Sequence, residues 1–137
     1  MRFKTIEHTA DIGIEVEADT LGELFEGTAA AMFSLMVDPE TVRKTVEREL
    51  SLEAGDLEEL LFIWLNELLF IVDAEGLLFS GFEVKDVGDS RLLATTSGEK
   101  INPERHKFLE EIKAATYHEM TVERQDSGWK ARVIFDV

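Results

Sequence analysis

Residues 57–72 constrain the fold more than any other segment, because they predict a long helix that is apolar on almost every side. Asp56 and Glu59 have the spacing of a capping box, and Gly76 lies where glycine commonly closes a helix, so the helix should run from Asp56 to about Asp73. A helix this apolar is normally central in a core, whereas an exposed remainder would mark a partner surface. The main stripe consists of Leu57, Leu60, Leu61, Trp64, Leu65, Leu68, Leu69 and Val72, and Phe62, Ile63, Phe70 and Ile71 widen it.

A second helix and several strands complete the predicted fold. Thr20 and Glu23 again have capping-box spacing, and Asp38-Pro39 should end that helix because the residue before proline disfavours helical backbone. The stretch 97–109 is predicted as a long loop. We expect one domain over residues 1–137, of the α+β class, with two main helices packed on a mostly antiparallel β-sheet. Strands are predicted at residues 2–7, 12–17, 46–53, 77–87, 90–97, 111–116, 119–125 and 129–137.

The charge balance restricts the class of partner. The 137 residues include 14 basic and 29 acidic side chains, which gives a net charge of −15. Such a chain repels phosphate backbones, so direct nucleic-acid binding is not expected. Basic proteins and metal cations are the natural partners, although an acidic surface also serves solubility alone.

The absence of cysteine excludes disulfides, thiolate catalysis and Cys-ligated zinc, and it is consistent with the cytoplasm. The N-terminus lacks an apolar run of signal-peptide length. Residues 57–72 contain Glu58, Glu59, Asn66 and Glu67, so this stretch is too short and too polar to span a bilayer. We therefore expect a soluble cytoplasmic protein that does not enter membranes.

The segment His8-Thr9-Ala10-Asp11-Ile12-Gly13 places a histidine and a carboxylate between two predicted strands. A three-residue spacing within one strand would put His8 and Asp11 on opposite faces, unless a turn or bulge lies between them. Gly13 would permit such an irregularity. On general grounds, a turn-forming or hydrogen-bonded role for Asp11 is commoner than a metal-binding one.

Asp136-Val137 at the end of the sequence is a second candidate, because an aspartate beside a terminal carboxylate gathers several oxygen ligands. Hard cations such as Ca²⁺ and Mg²⁺ prefer such ligands. If Asp11 came close to this pair, a divalent cation would relieve the repulsion among the carboxylates. Sequence spacing does not show whether they converge.

His118, in Tyr117-His118-Glu119, is more simply a polar residue at a strand junction than a group beside these carboxylates. No phosphate-binding glycine loop and no nucleophile elbow are present. Two alternatives therefore remain open. One is a small metal-dependent phosphoester hydrolase with His8 or His118 as general base. The other is a chaperone-like module that exposes apolar surface around Trp64 and Phe62.

Several segments together resemble the archease family, and the resemblance extends in order over the whole chain. The His8–Gly13 motif is one of them. The others are Leu65-Asn66-Glu67-Leu68-Leu69-Phe70, Asp73-Ala74-Glu75-Gly76-Leu77-Leu78-Phe79, Asn102-Pro103-Glu104-Arg105-His106, Lys113-Ala114-Ala115-Thr116-Tyr117-His118 and Val133-Ile134-Phe135-Asp136-Val137.

The resemblance implies an accessory protein rather than an enzyme. Archeases assist the RtcB-type tRNA-splicing ligase by promoting its guanylylation and multiple turnover and by broadening its nucleotide use. The family's metal site would correspond to Asp11, Asp136 and the terminal carboxylate of Val137, with Ca²⁺ as the expected ion. His8 and His118 would be neighbours of that site and not ligands.

Overall fold

The computed structural model describes residues 2–8 and 11–137, and these form two helices and seven strands. A short 3-10 turn, Pro39–Thr41, follows the first helix. The helices are α1 (Leu21–Met36) and α2 (Leu57–Glu75). The strands are β1 (Arg2–His8), β2 (Asp11–Ala18), β3 (Val46–Glu53), β4 (Leu77–Val87), β5 (Arg91–Lys100), β6 (Ala114–Gln125) and β7 (Gly128–Asp136).

The strands form two sheets in which every pairing is antiparallel. One sheet has four strands in the order β1-β2-β7-β6, and the other has three in the order β3-β5-β4. The predicted α+β class with two helices on antiparallel sheet is confirmed, and the strands divide between two sheets. Since β2 lies beside β7, the beginning and the end of the chain meet at the centre of the four-stranded sheet.

Both predicted helix starts are confirmed, because each predicted N-cap side chain accepts the capping hydrogen bond. The Thr20 hydroxyl accepts a hydrogen bond from the Glu23 amide at 3.1 Å, and the Asp56 carboxylate accepts one from the Glu59 amide at 2.8 Å. Gly76 closes α2 with φ of 65°, a left-handed conformation that glycine adopts without strain. Each cap satisfies backbone groups that a helix terminus leaves free.

Helix α2 is central in the core, as its composition predicts. Trp64 is fully buried, and its indole nitrogen donates a hydrogen bond of 3.0 Å to the carbonyl of Phe25 on α1. Phe62 is half-buried and stacks on Tyr117. Among the described residues, no helix is long and apolar enough to cross a membrane.

Strand β6 differs from the prediction of two separate strands. A single strand continues through a wide irregularity, because its pairing with β7 shifts between Thr116 and Thr121. Within this bulge Glu119 has φ of 53°, which is unfavourable for a residue with a Cβ. The predicted loop at 97–109 also begins later, since β5 continues to Lys100. Local alternation detects the paired ends of β6 but not their continuity, which depends on β7.

Candidate functional site

Asp11 and Asp136 lie directly opposite each other on neighbouring strands. They are register partners at the first residue of β2 and the last residue of β7. Asp136 also pairs with Ala114, the first residue of β6, and Asp11 pairs at the backbone level with His8 of β1. These four positions form one row across the end of the four-stranded sheet, which we call the carboxylate row.

The two aspartates project from the same face of the sheet, since register partners on antiparallel strands share a face. The alternation of β2 buries Ile14 and Val16 in the core and leaves Asp11 and Glu15 on the opposite, outer face. Asp11 is half-buried and Asp136 is exposed. Among the described residues, no basic side chain forms an ion pair with either aspartate, so like charges face each other across this pair of strands.

Glu15, on the same face, has the opposite environment. Its carboxylate lies 3.2 Å from the Lys4 ammonium, 3.6 Å from the Arg132 guanidinium and 3.9 Å from the Lys130 ammonium. The hydrogen bond from Lys4 is the largest cause that lowers the pKa of Glu15, and the other two cations act in the same direction. The sheet therefore neutralises its central carboxylate and leaves the carboxylates of the row facing each other.

Gly13 does not introduce the irregularity that its position would permit. Both β1–β2 and β2–β7 pair without a register shift at the described residues, and Thr9 and Ala10 lie outside them. A Cβ at Gly13 would lie 2.7 Å from the Ile134 side chain and 3.3 Å from the Val133 carbonyl. Glycine is therefore needed here for close packing between β2 and β7, two residues along β2 from Asp11.

Hydrogen bonds hold the start of β6 between Asp136 on one side and α2 on the other. The Lys113 amide donates to the Asp136 carbonyl at 2.8 Å. The Asn66 side chain on α2 accepts from the Ala115 amide at 3.0 Å and donates to the Ala115 carbonyl at 3.1 Å. The amide of Asn66 thus pairs with the free edge of β6 as a further strand would, which attaches α2 to the end of the sheet that carries the aspartates.

The chemistry of this donor set fits a hard cation. Two carboxylates lie directly opposite each other, and Val137, which is half-buried, follows Asp136 at the same end of the sheet. In the described part of the chain no three His, Asp or Glu side chains are grouped as a metal site, so a cation here would use two side chains and further oxygen ligands. An oxygen-only set of this kind suits Ca²⁺ or Mg²⁺ better than Zn²⁺.

The two candidate histidines belong to different strands of the four-stranded sheet. The backbone of His8 lies in the carboxylate row, whereas its side chain lies outside the described part of the structure. His118 lies in the β6 bulge, mostly exposed, with its Nε2 3.1 Å from the Glu119 carboxylate. Partial burial, with Glu59 and Asp56 nearby, raises the pKa of the adjacent Tyr117. His118 therefore contacts the bulge itself.

A buried cluster of charged residues was not predicted as a unit. Glu99 accepts hydrogen bonds from Arg105 at 2.6 and 2.9 Å and from the Arg43 amide at 2.6 Å, and His106 Nε2 lies 3.0 Å from it. The Asn102 amide donates to His106 Nδ1 at 2.8 Å, so His106 is neutral with its proton on Nε2. Arg105 lowers the pKa of Glu99 to about 2. This cluster anchors the loop after β5, and in the sequence only the spacing of the acid and the two bases hints at it.

Comparison with known proteins agrees with this fold and its extent. The model of the Archease protein family matches residues 3–137. The chain is 45% identical to the archease of Pyrococcus furiosus, covering 99% of both chains. It is 41% identical to that of Methanosarcina mazei, covering 99% of this chain and 96% of the other.

Two solved structures are similar over nearly the full length. Protein 1598 of Methanobacterium thermoautotrophicum has a TM-score of 0.83 at 38% identity, with 98% of each chain covered. An archease of Thermotoga maritima, described as a possible chaperone, has a TM-score of 0.66 at 28% identity, with 100% of this chain and 98% of that one covered. With its sequence and its fold both matched from end to end, this chain belongs to the archease family.

Proposed function

We propose that this protein is a non-catalytic activator of an RtcB-type tRNA-splicing ligase, which it serves by promoting guanylylation and multiple turnover and by broadening nucleotide use. Family membership supports a role on a protein partner, since one relative is described as a possible chaperone. The observation that carries the proposal is the direct opposition of Asp11 and Asp136 at the open end of the sheet.

In this proposal a divalent cation, Ca²⁺ first, is held by Asp11, Asp136 and the terminal carboxylate of Val137. When bound, it supplies positive charge that relieves the repulsion between the facing carboxylates. Asp11 and Asp136 contribute oxygen ligands from β2 and β7, the two central strands of the sheet, which pair in one continuous register. The net charge of −15 favours docking at a basic ligase active-site mouth, in the cytoplasm, rather than on RNA.

A multiple-turnover ligation assay with the ligase below the RNA concentration tests the proposal. Wild-type protein should raise the yield beyond one product per ligase, and treatment with a chelator that is removed before the assay should abolish this effect until Ca²⁺ is restored. Asp11→Asn and Asp136→Asn should give only the basal yield. Asp89→Asn removes the same charge from an exposed turn and should stimulate as wild type does.

Full stimulation by both aspartate variants would remove the carboxylate row from the mechanism. The hydrolase alternative predicts that the protein alone cleaves a nucleoside triphosphate or a phosphoester in the presence of Ca²⁺ or Mg²⁺, whereas an activator is inert. The position of His118 disfavours the hydrolase, because it lies in the bulge, four residues along β6 from Ala114, which pairs with Asp136. A chaperone-like surface around Trp64 is disfavoured too, because Trp64 is fully buried.

A further inference from the structure

Phe70 is the one large apolar side chain of α2 that the core leaves uncovered. It is 62% exposed, although every other leucine and aromatic residue of the helix is buried or half-buried. An aromatic side chain exposed on an otherwise buried helix loses the stabilisation that burial would supply, about 2 kcal/mol for a ring of this size. Its position on the fold indicates what covers it.

From the contacts of α2 with β6 we infer that Phe70 lies level with the carboxylate row. Phe62 stacks on Tyr117 with ring centroids 4.1 Å apart, and Asn66, one turn later, binds Ala115. The helix and the strand run in opposite directions. The helix advances about 6 Å in four residues and the strand about 6.6 Å in two, so four residues forward on α2 correspond to two residues back on β6. One further turn brings Phe70 level with Lys113, whose amide binds the Asp136 carbonyl.

One acidic residue flanks Phe70 on each side along the helix. Glu67 and Asp73 lie three residues before and after it, and residues at this spacing are neighbours on a helix surface. Helix α2 contains five acidic residues and no lysine or arginine. A surface that would cover Phe70 must therefore offer an apolar pocket with a basic rim, which matches the charge expected of a partner that engages Asp11 and Asp136.

The chain that leads into Lys113 adds apolar surface at the same end of the molecule. Phe108 is 50% exposed and Leu109 is 65% exposed. Four residues span at most about 14 Å, so Leu109 lies within that distance of Lys113. Its amide is held by the Met36 carbonyl at 2.9 Å, which fixes the backbone and leaves the side chain outward.

We propose that Phe70, supported by Phe108 and Leu109, is the apolar anchor by which the protein partner docks beside the carboxylate row. This inference rests on the proposed function and adds a contact to it. The partner buries the Phe70 ring in a pocket rimmed by basic side chains, which pair with Glu67 and Asp73. Aromatic anchors of this type dominate the binding energy of interfaces, whereas charges at the rim set orientation and association rate.

The test compares Phe70→Ser with Phe3→Ser, which removes another exposed aromatic residue, 44% exposed, from the opposite edge strand β1. Affinity for the ligase is measured by calorimetry, alongside Ca²⁺ affinity and thermal stability of the free protein. Phe70→Ser should weaken ligase binding at least about tenfold, with Ca²⁺ affinity unchanged, and Phe70→Leu should recover most of it. Phe3→Ser should bind as wild type does.

Equal ligase affinity of Phe70→Ser and Phe3→Ser would overturn the anchor while leaving the activator function intact. A wild-type protein that neither binds nor stimulates the ligase would overturn both. A further variant, Phe108→Ser with Leu109→Ser, should weaken binding less than Phe70→Ser does. A larger loss in that variant, with Phe70→Ser near wild type, would move the anchor away from α2 and contradict the proposal.

Discussion

Two groups of carboxylates in this protein have opposite environments. Glu99 is buried beside Arg105 and His106, and each of its oxygens accepts hydrogen bonds from neighbouring groups. Asp11 and Asp136 instead face each other at the end of a sheet, and no described basic side chain pairs with them. The first arrangement stabilises the fold by itself. The second sets like charges opposite each other, which is why we propose a cation site there.

The largest effect is expected at the buried cluster. Glu99→Gln removes the charge that Arg105 and His106 face, so the free energy of unfolding should fall by about 3 kcal/mol, measured by urea denaturation at pH 7. Glu104→Gln, an exposed change in the same loop, is the control and should leave stability within about 0.5 kcal/mol of wild type. Equal stability of the two variants would show that the cluster contributes little.

The same cluster predicts a pH dependence. The folded protein lowers the pKa of Glu99 from 4.5 to about 2, so its contribution to stability is fully present above about pH 4.5 and is lost as the pH falls towards 2. Stability measured between pH 6 and pH 2 should therefore fall more steeply in wild type than in Glu99→Gln. Parallel curves would assign the acid sensitivity to other carboxylates.

Cation binding should raise the free energy of unfolding by a smaller amount, and only when the carboxylate row is intact. At a Ca²⁺ concentration one hundred times the dissociation constant, wild type should gain about 2.7 kcal/mol, seen as a rise in melting temperature. Asp11→Asn should show no such rise, whereas Glu99→Gln should show the full rise from a lower starting value. A rise of equal size in Asp11→Asn would place the cation elsewhere.

The smallest effect has the opposite sign and separates the two carboxylate environments most clearly. In a chelator, Asp136→Asn removes a like charge opposite Asp11, so it should stabilise the protein by about 0.5 kcal/mol. Asp89→Asn corrects for the general benefit of lowering a net charge of −15. Destabilisation of Asp136→Asn relative to that control would mean that the aspartate has a structural partner.

Local sequence was sufficient for most elements because local interactions define them. The capping boxes at Thr20 and Asp56 and the glycine after α2 are short-range hydrogen-bonding features, and both helices form as predicted. Strand β4 matches its predicted range in full, since its ends are marked by Gly76 and by the turn at Gly88. The joining of the two predicted strands into β6 was missed, because the bulge is held together by pairing with β7.

The candidate site shows the same division between what local sequence predicts and what depends on the packing of distant segments. The sequence identified Asp11, Asp136 and Val137 as separate oxygen donors, and the resemblance to archeases linked them. The sequence did not predict that Phe70 is exposed, because hydrophobicity alone does not show which turn of an apolar helix extends past the core. Predicting it requires the positions of the strands that cover the other turns.

The sequence by itself determined the acidic character, the absence of thiol chemistry, both helices and most strand positions, because composition, capping and alternation act over a few residues. Only the tertiary structure decided that the first and last regions of the chain pair side by side, which sets Asp11 against Asp136, and that Phe70 of α2 stays exposed. Pairing between distant strands depends on the packing of the whole core, and no local pattern contains that information.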